Sequence, residues 1–247
     1  IRVNKTNHWL HTHSTDSLTY YHLSSKRGVV GMQEGGILEA YRGISEHDHY
    51  QSYFCFPQLQ HALCNEHHLR ELLGVYESTK QLWADQMRNL LRACCHQVKE
   101  AKKEGLTSLS PTELAAIEKR YQELIEAGKQ VNPKEVRDPK SDKRGKVKQT
   151  PAYNLLHRLS DHQTETLRFL YDFRVPFGNS QSERDIRMCK LKQKISGCFR
   201  SAKAAKAFFR IRGYLSTMRK LGHNAFDALQ ALVRGTPIMP SFTPLPV

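Results

Sequence analysis

The chain has 247 residues, of which 39% are apolar, enough for a hydrophobic core in one large domain or two small ones. Its net charge of +14 favours a polyanionic partner such as nucleic acid, with a solvated basic surface as the alternative. No apolar run approaches the ~18 residues of a membrane span and no signal peptide is visible, so no membrane partner is expected. The six cysteines form no C-x-x-C pair, which predicts reduced thiols in a cytoplasmic protein.

The N-terminal part of the chain has the pattern of β-strands. Bulky residues at 8–13 and 18–23, separated by a short polar tract, predict a β-hairpin. Residues 42–48 and 60–64 predict two further strands, and the first of these ends at Asp48.

A helical pattern begins at about Glu66, where apolar residues recur at helical spacing. One later helix has several start signals, because Ser110 can cap it, Pro111 suits its first turn and Glu113 completes a capping box. Gly128 is expected to end this helix.

The rest of the chain predicts a basic loop followed by more helices. Residues 131–151 are rich in Lys, Arg and Pro and lack an apolar period, which predicts a mobile loop. Helices are expected over 152–172, 201–221 and 225–234, the last two capped at Ser201 and Asn224. In chain order, the predicted strands come first, followed by a long helical middle and a helical end. This order predicts a mixed α/β core that is interrupted by a helical insertion.

Glu183 stands at the head of a segment crowded with Lys and Arg, PFGNSQSERDIRMCKLKQKISGCFR at 176–200. In a helix over 180–195, one face carries this glutamate and three cations, namely Glu183, Arg187, Lys190 and Lys194. The neighbouring face, expected to contact the core, holds Met188, Leu191 and Ile195. One interpretation is a weak surface salt bridge between Glu183 and Arg187. The other is a metal-binding carboxylate beside cations that hold a phosphate backbone.

Asp48 is the expected partner of Glu183 in the second interpretation. It follows a predicted strand in EHDHYQSY, and ligand sites of α/β sheets collect at the carboxyl ends of strands. The alternative is that Asp48 only starts a turn.

The stretch HALCNEHHLREL offers residues that zinc would accept, namely His61, Cys64, His67 and His68. On a helix, His61, Cys64 and His68 would share one face. No second cluster supplies matching ligands, so packing beneath the site or contact with DNA is the favoured interpretation. No nucleophilic triad, P-loop or dinucleotide motif is present.

Four long strings together resemble the transposase domain of insertion sequence family 66. They are HALCNEHHLREL (61–72), TPAYNLLHRLSDH (150–162), LRFLYDFRVPFGNSQSERDIRM (167–188) and KQKISGCFRS (192–201). The resemblance implies an RNase H-like mixed sheet core with a helical insertion and C-terminal helices. The implied segments are 1–65 (first part of the core), 66–151 (insertion and basic loop), 152–235 (second part of the core) and 236–247 (irregular tail).

The same resemblance implies a DDE carboxylate triad that binds two Mg²⁺ or Mn²⁺ ions. By position, Asp48 matches the second acidic residue and Glu183 the third. Two departures stand out: His49 replaces the glycine that usually follows the second Asp, and the first Asp, expected just upstream of Arg2, is not in this chain. The chain is therefore expected to lack the first strand and to be inactive by itself.

The implied function is metal-dependent cleavage and strand transfer of insertion-sequence DNA, in a homodimer or higher assembly. The expected DNA-binding residues are Arg184, Arg187, Lys190, Lys192, Lys194 and Arg200. The alternative function is a non-catalytic DNA-binding remnant of a decayed or split transposase. A structure-selective nuclease on the same fold is a third, less favoured hypothesis.

Overall fold

The computed structural model describes residues 1–137 and 145–240, and this part of the chain forms two compact units. The first unit comprises Ile1–Arg42, Gln51–Leu59 and Ser180–Val247, and the second comprises Gly43–Tyr50 and Gln60–Asn179. Parts of the predicted basic loop and of the predicted tail lie outside the described residues. The four segment boundaries predicted from the sequence stay predictions.

Strands and helices follow one another along the chain in the predicted order. The strands are β1 (Arg2–Val3), β2 (Thr6–Asn7), β3 (Trp9–Ser14), β4 (Thr19–Ser24), β5 (Ile44–His47) and β6 (Gln60–Leu63). The helices are α1 (Val29–Gln33), α2 (Ile37–Ala40), α3 (Asn65–Thr79), α4 (Leu82–Lys103), α5 (Pro111–Val131), α6 (Pro151–Asp161), α7 (Gln163–Tyr171), α8 (Ser180–Ser196), α9 (Ala202–Lys220) and α10 (Ala225–Val233).

The first unit is built around the predicted hairpin, which is confirmed. β3 and β4 pair antiparallel from Trp9↔Ser24 to Ser14↔Thr19. One face of β4 packs on α9, where the rings of Tyr21 and Phe209 lie 6.4 Å apart. The buried core of this unit consists of Val3, Tyr21, Leu23, Cys189, Phe199, Ala205 and Phe209.

The second unit places two parallel strands against a group of helices. β5 pairs with β6 from Ile44↔Gln60 to His47↔Leu63, which confirms both predicted strands. Ala62 of β6 belongs to a large apolar core that α3–α7 supply. The predicted insertion, 66–151, therefore lies in the same compact unit as these strands.

The described strands form three two-stranded sheets, so the fold is mixed α/β as predicted. A single RNase H-like sheet stays a prediction. Within residues 1–137 and 145–240, no helix is long and apolar enough to cross a membrane.

The predicted start of α5 is confirmed, but its predicted end is wrong. Ser110 and Glu113 form the reciprocal capping box, with Pro111 in the first turn. The helix continues through Gly128 to Val131, and Gly128 is buried inside it. A β-carbon at position 128 would lie 2.5 Å from Leu156 Cδ2, so this glycine allows close helix packing rather than ending the helix.

Replacing Gly128 by alanine should therefore destabilise the second unit, although alanine is the better helix former. Overpacking a buried contact costs about 1–3 kcal/mol. Gly74→Ala is the matched control, because a β-carbon there meets nothing within 4 Å in α3 and should stabilise by about 0.5–1 kcal/mol. Urea unfolding followed by circular dichroism measures both, and equal effects of the two variants would contradict the packing role.

Candidate functional site

Asp48 follows the last residue of β5 and its side chain is exposed. Its Oδ1 accepts a hydrogen bond from the Tyr50 backbone N–H at 3.1 Å. Asp48 thus does start a turn, as one sequence interpretation held. This turn holds the carboxylate at the carboxyl end of a parallel strand, so both interpretations of Asp48 fit the same geometry.

Two histidines, His47 (buried) and His61 (half-buried), fix the end of β5 just before Asp48. His47 Nδ1 donates to the Asp48 carbonyl, and His47 Nε2 lies 3.0 Å from His61 Nδ1. Arg168 Nε in turn donates to the His61 carbonyl at 2.7 Å. Burial lowers the pKa of His47 to about 4, so at neutral pH the ring is uncharged and can bridge these two groups.

His49, which directly follows Asp48, is half-buried. Its ring contacts the His162 ring edge-on, with centroids 5.1 Å apart. Burial, followed by the nearby Arg158 charge, lowers the pKa of His49 to about 4. The added bulk beside Asp48 is therefore packed within the second unit as a neutral ring.

The hypothesis that His61, Cys64 and His68 share one helical face is wrong. His61 lies in β6, and Cys64 is the buried residue that precedes α3 and accepts the Asn179 backbone N–H at 3.3 Å. His68 lies in α3, buried, with its Nδ1 3.2 Å from Asn65 Oδ1. A strand ends between these residues, so helical spacing does not apply to them.

His68 belongs to a buried polar link between α3 and α7. Asn65 Nδ2 donates to the Thr166 carbonyl at 2.9 Å, and its Oδ1 accepts from His68. Burial lowers the pKa of His68 to about 3, with a smaller contribution from the Arg158 charge. The folded state therefore holds this imidazole neutral.

His68 should make the second unit sensitive to acid. Because its pKa falls on folding, the unfolded chain binds the extra proton, and stability is lost as pH drops below about 6.5 toward 3. At pH 5 the loss from this residue is about 2 kcal/mol, since each pKa unit is worth about 1.4 kcal/mol. His68→Gln should remove this part of the pH dependence of urea unfolding, whereas His157→Gln at an exposed position should not. Parallel pH profiles for wild type and His68→Gln would contradict this role.

Glu183 lies in the first turn of α8 and its side chain is exposed. The cations predicted on its face, Arg187, Lys190 and Lys194, are exposed as well. Arg184 is exposed and donates to Gln181 Oε1 at 2.7 Å, and Arg200 is exposed beyond the end of α8. Lys192 differs, because it is half-buried with its Nζ 5.4 Å from the centre of the Phe199 ring.

The prediction that the side of α8 with Met188, Leu191 and Ile195 faces the core is wrong. Met188, Leu191 and Ile195 are 42%, 41% and 75% exposed, whereas Cys189 is fully buried. The buried side is centred on Cys189 and includes Ile186, which packs against the core of the first unit. The spacing of the apolar residues gave the wrong buried side, because the residue that anchors this helix most strongly is charged, namely Asp185.

Asp185 joins α8 to the hairpin and to α9 within the first unit. Its carboxylate lies 2.8 Å from Lys220 Nζ, and the two side chains are 8% and 9% exposed. Its other hydrogen-bond donors are Ser14 Oγ (2.5 Å), Thr19 Oγ1 (3.1 Å), Ser216 Oγ (3.2 Å) and Gln181 Nε2 (3.1 Å). The Asp185 carbonyl also accepts the Tyr21 hydroxyl at 2.6 Å.

Lys220 is held as firmly as its partner. Its ammonium donates to the carbonyls of Thr15 and Leu18 at 2.7 and 2.8 Å, at the turn of the hairpin. Burial by itself would raise the pKa of Asp185, but hydrogen bonds from Lys220, Ser14 and Thr19 outweigh burial and lower it. The ion pair therefore orients α8, and Glu183 with it, against the hairpin.

Removing the Asp185 carboxylate should destabilise the first unit by about 3 kcal/mol, because Lys220 is left buried without its counter-charge. Asp185→Ala tests this in urea unfolding, with Glu183→Ala in the same helix turn as an exposed control that should stay within about 0.5 kcal/mol. Since the pKa of Asp185 is lowered on folding, wild type should lose this contribution as pH falls through that lowered pKa. Equal stability of the two variants would contradict the anchoring role.

Sequence reasoning missed Asp185 and Lys220 as a pair. They are 35 positions apart in the sequence. Each lies in a segment rich in charged residues, where a single charged side chain is expected to be exposed to solvent. One available signal was that Asp185 falls on the same face of the predicted helix as Cys189, away from Arg187 and Lys194.

The structure brings Glu183 into line with Arg187, Lys190 and Lys194, as predicted, within the first unit. Asp48 belongs to the second unit. Within residues 1–137 and 145–240, no group of three or more His, Cys, Asp or Glu side chains is arranged to hold a metal ion.

Comparison with known proteins gives the family. A model described as the IS66 family of transposases matches residues 1–207, which is most of the chain. Searches of curated proteins and of solved structures each gave no match. The chain belongs to the IS66 transposase family, which connects it to transposition and to DNA as a partner.

Proposed function

We propose that this chain carries the catalytic region of a DDE-type transposase, with Asp48 and Glu183 as metal-binding carboxylates on an RNase H-like core. The observation that carries this proposal is the exposed Glu183 at the head of a row of exposed cations on α8. Membership of the IS66 family supplies the reaction class, the cleavage and joining of DNA.

The donor chemistry of the two residues fits Mg²⁺ or Mn²⁺. Both side chains are exposed carboxylates, and hard divalent cations prefer oxygen ligands. Asp48 uses Oδ1 in the turn to Tyr50, which fixes the direction of the side chain. When bound, two such ions would activate the attacking oxygen and stabilise the leaving oxygen of a phosphodiester.

The protein itself would position DNA and the carboxylates. Arg187, Lys190 and Lys194 would bind successive phosphates, since phosphate contacts supply most of the affinity for DNA. Arg184 and Arg200 would add contacts at either end of the helix. Lys192 would contribute less than its neighbours, because it lies over Phe199. A homodimer or higher assembly would hold the two ends of the element.

Strand transfer by the full-length protein, with a DNA end of the element and Mn²⁺, tests the two carboxylates, because residues 1–247 by themselves are expected to lack the first Asp. Asp48→Asn and Glu183→Gln should each lower the rate by at least about a hundredfold, because each removes one metal-binding charge. Asp227→Asn, an exposed acid in α10, is the matched control and should leave the rate unchanged. Full activity of Glu183→Gln would sink the assignment.

Binding and chemistry are separated by measuring DNA affinity for the same proteins. Glu183→Gln should bind DNA at least as tightly as wild type, whereas Arg187→Glu should bind more weakly and with a shallower salt dependence. Full-length protein that binds DNA with a steep salt dependence, yet never cleaves or joins it, would favour the non-catalytic remnant, whereas metal-dependent cleavage by residues 1–247 alone would rule that remnant out.

A further inference from the structure

A groove of about 400 Å³ runs between the outer edge of β4 and α9, inside the first unit. Its strand side is formed by residues from both faces of β4, including Tyr20 and Tyr21, so the groove follows the edge of the strand. Its helix side includes Phe209, Gly213 and Tyr214. The proposed reaction uses none of these residues.

The backbone of β4 offers hydrogen-bonding groups toward this groove. The Thr19 backbone N–H donates to Thr217 Oγ1 at 3.0 Å, so it points away from β3. Because the direction of backbone groups alternates along a strand, the N–H and C=O groups of Tyr21 and Leu23 point to the same outer edge. Among the described residues, β4 pairs with β3 alone, so this edge has no second strand.

The edge of β4 is protected only in part, since α9 covers it at Thr19, which is bonded to Thr217. Other common protections of an edge, namely Lys, Pro, a bulge or a very short strand, are not found in β4. The sequence of β4 is TYYHLS, and its six residues pair with β3 in an unbroken register. A regular, uncharged edge beside a helix suits the addition of an extended peptide as a new strand.

The positive charge on the α9 side of the groove favours a peptide that contains acidic residues. Lys206 and Arg210 of α9 line the groove and are exposed, and none of the described lining residues is acidic. Two carboxylates lie beside lining residues: Asp185, which is paired with Lys220 and lies 3.1 Å from Thr19 Oγ1, and Glu34, which lies 3.7 Å from His22. Two cations beside an apolar wall complement a segment that alternates acidic and apolar residues.

We propose that this groove binds an acidic, extended segment of a partner protein, which pairs with the outer edge of β4. The strand edge offers donors and acceptors in alternation, which matches a peptide backbone, whereas DNA phosphates accept only. This inference goes beyond the proposed function and does not depend on Asp48 or Glu183.

A fluorescent peptide of alternating Glu and Val residues is the probe, titrated into the whole chain and followed by anisotropy. Arg210→Glu should weaken binding about tenfold by placing a like charge against the peptide. Lys203→Glu is the matched control, because it is exposed on α9 outside the groove lining and should change binding little. A peptide with N-methylated Val residues should fail to bind, since it cannot donate to the strand edge.

Amide hydrogen exchange locates the bound peptide. The Tyr21 and Leu23 amides should become protected on binding, whereas Tyr20 and His22 face β3 and should change little. Arg187→Glu should lose DNA affinity but keep the peptide, which separates this proposal from the proposed function. Absence of peptide binding, equal weakening by Lys203→Glu, or displacement of the peptide by single-stranded DNA would overturn the proposal.

Discussion

The buried ion pair between Asp185 and Lys220 organises the first unit. Two charges that are taken out of water stabilise a fold only when each finds several partners. Asp185 has four further donors besides Lys220, and Lys220 reaches two carbonyls at the turn of the hairpin. Because the partners lie on α8, α9, β3, β4 and the hairpin turn, this pair fixes the rotation of α8 about its axis. That rotation turns Cys189 inward, and it turns Glu183 and Arg187 outward.

This orientation gives the proposed function a physical basis. A carboxylate and three cations on one outward face can meet a metal ion and a phosphate backbone together, which a randomly rotated helix would not allow. The second unit holds Asp48 in a comparable way, because the buried neutral ring of His47, which also contacts His61, fixes the end of β5 just before the aspartate. In both units, buried polar side chains hold an exposed acidic residue in a set direction.

Local signals predicted much of the fold. The hairpin, the strand leading to Asp48, the capping box at Ser110 and the last two helices all follow from short-range patterns and are confirmed, although the strand ends at His47, one residue earlier than predicted. Gly128 was misjudged because its role depends on Leu156, a residue on another helix. The buried face of α8 was misjudged because periodicity assigns Met188 and Leu191 to the core, while the actual contact depends on Lys220 in α9. The family could be recognised from four long strings of the sequence. The metal-binding roles of Asp48 and Glu183 remain proposals.

The central claim is that Asp48 and Glu183 both bind the divalent metal used in strand transfer. Calorimetric titration of Mn²⁺ into wild type, Asp48→Asn and Glu183→Gln, each bound to a DNA end of the element, measures this without relying on turnover. Each variant should bind Mn²⁺ at least about tenfold more weakly than wild type, while Asp227→Asn should match wild type. Identical Mn²⁺ binding by all four proteins would contradict the claim.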